Sequence, residues 1–394
     1  MSHLEGEIEM AQKNNGYFDE QKDWSKRKLD IVQKYLAGFT KILGSSTSQP
    51  CVYYVDGFAG KGIYDDGAKG SPVLAAELAQ DYRDNLKKYK LNCINVEENT
   101  ENFQNLKLST TQFQGTVENF NNTFSSQIPT ILNNIGNCPA FFFIDPFGVS
   151  GADWSDMVKI LQRSAPTDLW LRFDHKTVRR LSGFFESGSQ GADSKIQRLL
   201  KLYGVQRPDN LFQKLDGNSP EERIGNAVRY YIERLETELK TIKKFGYSAG
   251  FPIVSLEGQN KYHLVFAASH KKAVILASET VYSVERNRPK ETQEYQQKKT
   301  GQLFLFNLDP SEEELSKFKA EELALEIWLL CSGKQLDRSE IYLQLLTEYK
   351  DKWFGCFSSA QLNMALSIME TETNPRITKR TGPISQDKTK FLFK

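Results

Sequence analysis

Two stretches of this chain end an apolar run on an aspartate and then turn over glycine: "CVYYVDGFAGKGIY", Cys51 to Tyr64, and "AFFFIDPFGVSG", Ala140 to Gly151. A strand without alternating polar positions has to be covered on both faces, the condition of a strand inside a parallel sheet. Apolar strands then alternate with amphipathic helices. "CVYYVD" precedes the helical "SPVLAAELAQDYRD", with Ser71 as expected cap and Pro72 in the first turn. "KLNCINVEEN" precedes "TENFQNLKLS", "TTQFQGTVEN" is a weaker third strand, "AFFFIDP" precedes "ADWSDMVKILQRS", and "DLWLRFD" is a fifth. Such alternation predicts an α/β fold with helices on both faces of a mostly parallel sheet. Ligands of such sheets bind outside the carboxyl ends of the strands, at the topological switch point, and both opening stretches finish there.

The flanking segments complete the outline. "DWSKRKLDIVQKYLAGFTKILGS" carries apolar residues at Leu29, Ile31, Val32, Tyr35, Leu36, Phe39 and Ile42, a helical period closed by Ser45 and Ser46. Residues 176–245 read as a charged helical insertion, and "YSAGFPIVSLEGQNKYHLVFAASH" as two strands turning near Gly258. A closing hairpin is foreign to dinucleotide folds and is the expected finish of a methyltransferase sheet, whose last strand runs antiparallel. The polar "TQEYQQKKT" reads as a linker. Beyond it, three short helices and two strands around Gly382-Pro383 predict a winged-helix domain over 315–394, after a sheet domain over 21–300 and a flexible leader over 1–20.

Composition excludes more than it selects. With 51 basic and 50 acidic residues, overall charge points to no partner, and only local patches can. No apolar run approaches the ~20 residues needed to cross a bilayer. The start has no apolar signal-peptide core, and the five cysteines are scattered without a C-x-x-C pair, so reduced thiols and a cytoplasmic protein are expected. The four histidines contain no pair at zinc-ligand spacing, and no metal is expected.

The turn after Asp56 carries Gly57, Phe58, Gly60 and Gly62. It fits neither G-x-x-x-x-G-K-[ST] nor G-x-G-x-x-G, so a phosphate cradle is not indicated. An acid beside the turn repels a pyrophosphate and attracts an ammonium or sulfonium, and S-adenosylmethionine carries both cations and no phosphate. The plain alternative is a tight strand-to-helix turn with no ligand. At the end of the second strand, Glu97 is placed to accept from ribose hydroxyls, in preference to Glu98; Glu118 and Asn119, after the third, are placed to read an adenine amine. "IDPFG" resembles the [DNS]-P-P-[FYW] motif of amine methyltransferases: Asp145 and the Pro146 carbonyl would accept from the target amine, with Phe147 as stacking surface. Phe147 stands at the second proline and Gly148 at the aromatic position; a degenerate, non-catalytic site is the alternative. Arg172, Asp174 and His175, ending the fifth strand, would face the same crevice, His175 as a base or simply structural. Lys176, Arg179 and Arg180 would meet phosphates or form a solvated face. In the tail, Gln361, Asn363 and Ser367 on the third helix and Arg376, Lys379, Arg380 and Lys388 on the wing are the candidate nucleic-acid contacts; a protein-binding or structural tail is the alternative.

Taken together, "DWSKRKLDIVQKYL", "YVDGFAGKGIYDDGAKGSPVLAAELA", "FFFIDPFG" and "KYHLVFAASH" resemble the three-Cys-motif partner proteins, from about residue 20 to 290. The resemblance implies a class I methyltransferase-like domain with a winged-helix-like tail, S-adenosylmethionine as cofactor, and a bacterial role in DNA modification or phage defence. It also implies a three-Cys-motif partner protein. Where that family carries asparagine after the fifth strand, this chain has Arg172. The expected activity is methylation of nucleic acid, DNA foremost, at an exocyclic amine. The competing expectation is a catalytically silent platform of the same fold that binds nucleic acid or a partner protein.

Overall fold

A computed structural model describes residues 21–44, 51–86, 89–183, 192–243, 245–301 and 311–394. The expected leader and the helix exit at Ser45 and Ser46 lie outside the described residues. The chain divides into two compact units, residues 1–269 and 270–394.

The first unit is built on seven strands: β1 (Cys51–Asp56), β2 (Lys90–Glu97), β3 (Val117–Asn121), β4 (Ala140–Ile144), β5 (Thr167–Phe173), β6 (Tyr247–Val254) and β7 (Asn260–Ala268). They lie in the order β3-β2-β1-β4-β5-β7-β6. The first five run parallel, and β7 runs antiparallel to both β5 and β6. This is the Rossmann-like methyltransferase sheet with its reversed last strand. All five residues of β4 are fully buried, which is why that segment contains nothing but Ala, Phe and Ile. The crossovers are α2 (Ser71–Asp81), α3 (Thr100–Thr110), α4 (Phe124–Ile135) and α5 (Trp154–Leu161). Strand β1 pairs with β2 on one side and β4 on the other, so the strand order reverses direction at the β1/β4 boundary.

Ahead of the sheet, α1 (Asp23–Gly44) buries Leu29, Ile31, Val32, Tyr35, Leu36 and Phe39, while Ile42 stays exposed. Tyr35 packs edge-on against Phe141, Trp170 and Phe266, with ring centroids 5.2, 5.5 and 5.6 Å apart. Each such buried aromatic is worth about 1.5–3 kcal/mol of transfer free energy, so this cluster fixes the helix on the sheet. Between β5 and β6 come α6 (His175–Ser182), α7 (Ala192–Tyr203), α8 (Pro208–Leu215) and α9 (Pro220–Ile242).

The second unit contains α10 (Lys271–Glu285), α11 (Arg288–Thr300), α12 (Glu312–Cys331), α13 (Arg338–Glu348), the single turn α14 (Lys350–Trp353) and α15 (Ser359–Thr371). Three short strands, β8 (Gln335–Asp337), β9 (Ile377–Arg380) and β10 (Lys390–Phe393), form an antiparallel sheet with β10 in the middle. The unit begins at His270, well before the expected tail, because α10 is tied into it. The Ser278 hydroxyl accepts from Gly355 N–H at 3.0 Å, and Glu279 accepts from Ser359 N–H at 3.1 Å. The stretch read as a linker is the helix α11. Its residues are good helix formers, with Pro289 in the first turn and Gly301 (φ 68°) closing it, but it buries nothing and so shows no apolar period.

Candidate active site

The register brings the opening stretches together. Asp56 lies opposite Phe143 of β4 and Asn95 of β2, so Asp56, Glu97 and Asp145 end three adjacent strands at one edge. Asp56 is fully buried. Its carboxylate accepts from Tyr54 Oη at 3.2 Å, from Phe58 N–H at 3.2 Å and from the Ser71 hydroxyl. Ser71 is therefore a partner of Asp56 and not the expected helix cap, a position held by Gly70. Burial pushes the Asp56 carboxyl up to about 6; the bonds from Ser71 and Phe58 oppose the rise, and the charge of Asp145 adds to it.

Glu97 is buried and each of its oxygens accepts a backbone N–H: Gly60 on Oε2 and Asn99 on Oε1, both at 2.8 Å. Burial raises its pKa against the pull of those two amides. Gly57 N–H donates to Phe143 O at 3.0 Å and Ala59 N–H to Val96 O at 2.9 Å. The four consecutive amides of residues 57 to 60 are thus consumed within the protein and do not form a phosphate cradle. The glycines have packing reasons. A Cβ at Gly57 would meet Ile144 and Phe124 at 3.0 Å, and one at Gly62 (φ 83°) would meet Ser109 Oγ at 2.1 Å.

Asp145 is held by two of the chain's own cations. Lys28, only 2 % exposed on α1, donates from Nζ to Asp145 Oδ2. Ile144 faces Leu171 in the register, so Asp145 meets Arg172, whose Nη1 lies 3.6 Å from Oδ1 and donates to the Pro146 carbonyl at 3.3 Å. Both acceptor groups expected to receive a target amine therefore hold the chain's own cations. Asp145 Oδ1 is buried without a hydrogen-bond partner. The Arg172 guanidinium also stacks 4.8 Å from the Tyr262 ring centroid. Phe147 is 42 % exposed beside this group. Sequence reasoning missed Lys28: a lysine inside an amphipathic helix carries no sign of a carboxylate 117 positions away.

Two openings adjoin these residues. A small one of about 30 Å³ is lined by Lys28, Gly60, Lys61, Ser71, Asp145 and Phe147, among others. A larger cleft of about 400 Å³ is lined by Glu98, Thr123, Phe124, Val149, Arg198 and Lys201, among others. Phe58 lines both. Glu98, exposed, is thus the acid that faces the larger cleft, while Glu97 braces the glycine turn.

Glu118 and Asn119 are not at a strand end, because β3 continues to Asn121. Glu118 is exposed, and Asn119 joins a ladder in which it accepts from Asn95 Nδ2 at 2.8 Å and donates to Thr110 Oγ1 at 2.9 Å. Asn121, which donates to Glu97 O at 2.9 Å, and Thr123 occupy the edge that was assigned to them.

Asp174 caps α6 by accepting from Thr177 N–H at 3.0 Å. His175 is buried against His263 with their Nδ1 atoms 3.0 Å apart. Burial holds His175 down at about 4 and, with the neighbouring His175, holds His263 down at about 3, so both rings are neutral at pH 7 and one Nδ1–H donates to the other. The pair is a packed contact and not a base poised near neutrality. Lys176, Arg179 and Arg180 lie exposed on α6.

In the tail, four of the expected contacts are spent internally. Gln361 is buried in a capping box with Ser358, whose N–H it accepts at 3.0 Å. Asn363 Oδ1 accepts from Arg338 Nε at 2.8 Å. Arg376 donates to Glu372 at 2.6 Å, and Arg380 to Glu370 at 3.0 Å and to Gly382 O at 2.7 Å. Ser367 is half-buried, and Lys379 and Lys388 are exposed. The exposed surface of α12 carries Leu315, Phe318, Leu325 and Leu329, each more than half exposed. Among the described residues no helix is long and apolar enough to cross a membrane.

No family model and no curated protein matches the chain. Among solved structures it is similar to an O-methyltransferase from Bacillus cereus in complex with SAH: 14 % identity, 68 % of this chain and 91 % of that one, TM-score 0.34. It is also similar to a putative O-methyltransferase from Klebsiella pneumoniae, with 11 % identity over 61 % and 80 % of the two chains and a TM-score of 0.33. A third is the O-methyltransferase from Streptomyces achromogenes involved in tomaymycin synthesis, in complex with SAM, with 12 % identity over 66 % and 94 % and a TM-score of 0.33.

Proposed function

We propose that the chain is an S-adenosylmethionine-dependent methyltransferase acting on nucleic acid, of the three-Cys-motif partner type. The observation that carries this reading is the edge formed by Asp56, Glu97 and Asp145 at the switch point, where the amides of residues 57 to 60 are consumed. An edge rich in carboxylates, with these four amides already bonded, suits a cationic ligand lacking phosphate. Three acids stand there against Lys28 and Arg172, which leaves the balance acidic. The residues fit the cofactor as follows: Asp56 and the glycine turn would hold its cationic end, and Glu97, through lone pairs left over from the amides, or Glu98 would take the ribose. The larger cleft, at about 400 Å³, has the room for a nucleoside. When bound, the cofactor supplies an electrophilic methyl group; the chain's own residues hold and orient the acceptor. A role in bacterial nucleic-acid modification or phage defence follows from the family resemblance.

The tail's order of helix, strand, three helices (the middle one a single turn) and hairpin supports a winged-helix docking module, with Lys379 and Lys388 as its remaining exposed basic candidates. Deleting residues after Leu315 should then weaken nucleic-acid binding and flatten its salt dependence. The apolar surface of α12 favours a second reading, in which the fold is a silent platform and the tail binds a protein. Transfer of tritium from labelled S-adenosylmethionine to nucleic acid separates the two. Cofactor binding with label on nucleic acid supports the enzyme. Absence of cofactor binding, or binding without transfer to any nucleic acid, favours the platform.

A further inference from the structure

The group around Asp145 leaves one acceptor, Asp145 Oδ1, with no hydrogen bond at all. An amine aimed along its lone pair at an electrophilic carbon has to give both N–H bonds to acceptors. Asp145 Oδ2 already accepts from Lys28, and the Pro146 carbonyl accepts from Arg172 at 3.3 Å. Those two oxygens each keep a second lone pair, but Asp145 Oδ1 is buried with no hydrogen bond, and Arg172 Nη1 stands 3.6 Å from it. The opening lined by Asp145, Lys28 and Phe147 measures about 30 Å³, small but roomy enough for a hydroxyl group. A hydroxyl has one proton to give and lone pairs that tolerate neighbouring N–H donors, which Lys28 and Arg172 are.

The surroundings specify what carries the hydroxyl. Phe147 presents an exposed ring beside Asp145. Helix α6 comes within reach of the same loop, Thr177 Oγ1 lying 4.0 Å from the Cβ position of Gly148, and it displays Lys176, Arg179 and Arg180. A stacking ring, a run of cations and an opening with one unbonded carboxylate oxygen together match a base, a phosphate and a sugar hydroxyl.

We propose that the methyl acceptor is a ribose hydroxyl of RNA, with Asp145 as the catalytic residue that takes its proton and Lys28 and Arg172 as positioning residues. The inference rests on the methyltransferase reading. In the transfer a bond forms between the hydroxyl oxygen and the methyl carbon, and the carbon–sulfur bond breaks with its electron pair left on sulfur. The hydroxyl proton passes to Asp145 Oδ1. Lys28 holds the carboxylate through Oδ2, and Arg172 stands beside Oδ1, tied to the Pro146 carbonyl.

The test uses the full chain with three measurements: calorimetric titration with S-adenosylmethionine, fluorescence anisotropy of a short single-stranded RNA and its DNA counterpart in the presence of S-adenosylhomocysteine, and mass spectrometry of nucleosides from RNA incubated with the cofactor. The expected results are cofactor binding, an RNA preference of about ten-fold or more from the added hydrogen bond, and methyl groups on the sugar. Asp145→Asn, which keeps an acceptor oxygen but no base, should retain the RNA preference and lose transfer by ~10²–10⁴-fold. Asp145→Ala should lose both. If a melting curve shows that Asp145→Asn does not fold, Lys28→Gln/Asp145→Asn, which removes the unpaired charge, takes its place. Methyl groups on base nitrogens, equal binding of RNA and DNA, label on a catechol but not on RNA, or bound cofactor with unlabelled RNA would each overturn the hydroxyl proposal while leaving cofactor binding intact. A chain that binds no S-adenosylmethionine overturns the methyltransferase reading, and this inference falls with it.

Discussion

The sheet buries acids at both of its edges, and the two edges treat them differently. At the amino edge Asp168, the second residue of β5, accepts from Tyr35 Oη at 2.6 Å. Burial pushes its carboxyl up to about 7, and the bond from Tyr35 pulls it back. The partner tyrosine is itself locked in the aromatic cluster under α1. At the carboxyl edge three strands each deliver an acid, α1 and β5 deliver cations to the third, and one carboxylate oxygen has no hydrogen bond. A buried acid with a shifted pKa is therefore no mark of a site by itself. Convergence from separate elements, with one carboxylate oxygen unbonded, is what singles out the carboxyl edge as the candidate site.

The largest expected effect breaks the carboxyl edge. Lys28→Ala leaves Asp145 buried with Arg172 alone, and removing one partner of a buried pair costs about 3–5 kcal/mol. Removing both charges in Lys28→Met/Asp145→Asn should recover more than half of that loss. Urea denaturation of the single and double variants gives both numbers; a loss under ~1 kcal/mol in Lys28→Ala would mean the pair is solvated.

The next effect belongs to the amino edge and depends on pH. The Asp168 carboxyl is raised from 3.8 to about 7 in the folded chain, so its contribution is fully present below pH ~4 and is lost as pH rises to ~7. Measured against Asp168→Asn, which does not titrate, the parent should lose on the order of 4 kcal/mol of relative stability between those limits and no more above them. A stability difference that does not change with pH would remove the buried carboxyl from the account.

The smallest effect concerns the glycine turn. Gly62 and Gly67 share φ 83°, but only Gly62 has a neighbour, Ser109, inside the space of a Cβ. Gly62→Ala should cost about 1–3 kcal/mol, and Gly67→Ala about 1 kcal/mol from backbone strain alone. Equal costs would show that the turn is not held against α3. A loss of cofactor affinity in Gly67→Ala would show that the outer loop, too, belongs to the site.

Much of this frame is legible in the residues, for a physical reason. A strand covered on both faces has to be apolar, so its last polar residue announces the carboxyl edge; Asp56, Glu97 and Asp145 are found that way. Contacts across the sequence leave no such trace. Lys28 and Arg172 meet Asp145 because a helix docks and a neighbouring strand is in register, and neither event is written in local pattern. The third strand misled by its weakness: Glu118 and Asn119 sit within it because half-buried edge positions carry no clear alternation. In the tail the signal was present. Ser358-x-x-Gln361 is the spacing of a capping box, which claims Gln361 for the helix start before any groove can use it. Asn363 had no such sign, since its partner Arg338 comes from another helix.

The central claim is that the carboxyl edge, and not the amino edge, binds S-adenosylmethionine. Calorimetric titration of the parent, Glu97→Ala and Asp168→Asn at pH 8 tests it most directly. The expected result is binding by the parent, affinity weakened roughly ten-fold to several hundred-fold in Glu97→Ala through the lost charged acceptor and the slackened turn, and affinity unchanged in Asp168→Asn. No binding by the parent, or equal weakening in the two variants, would contradict it.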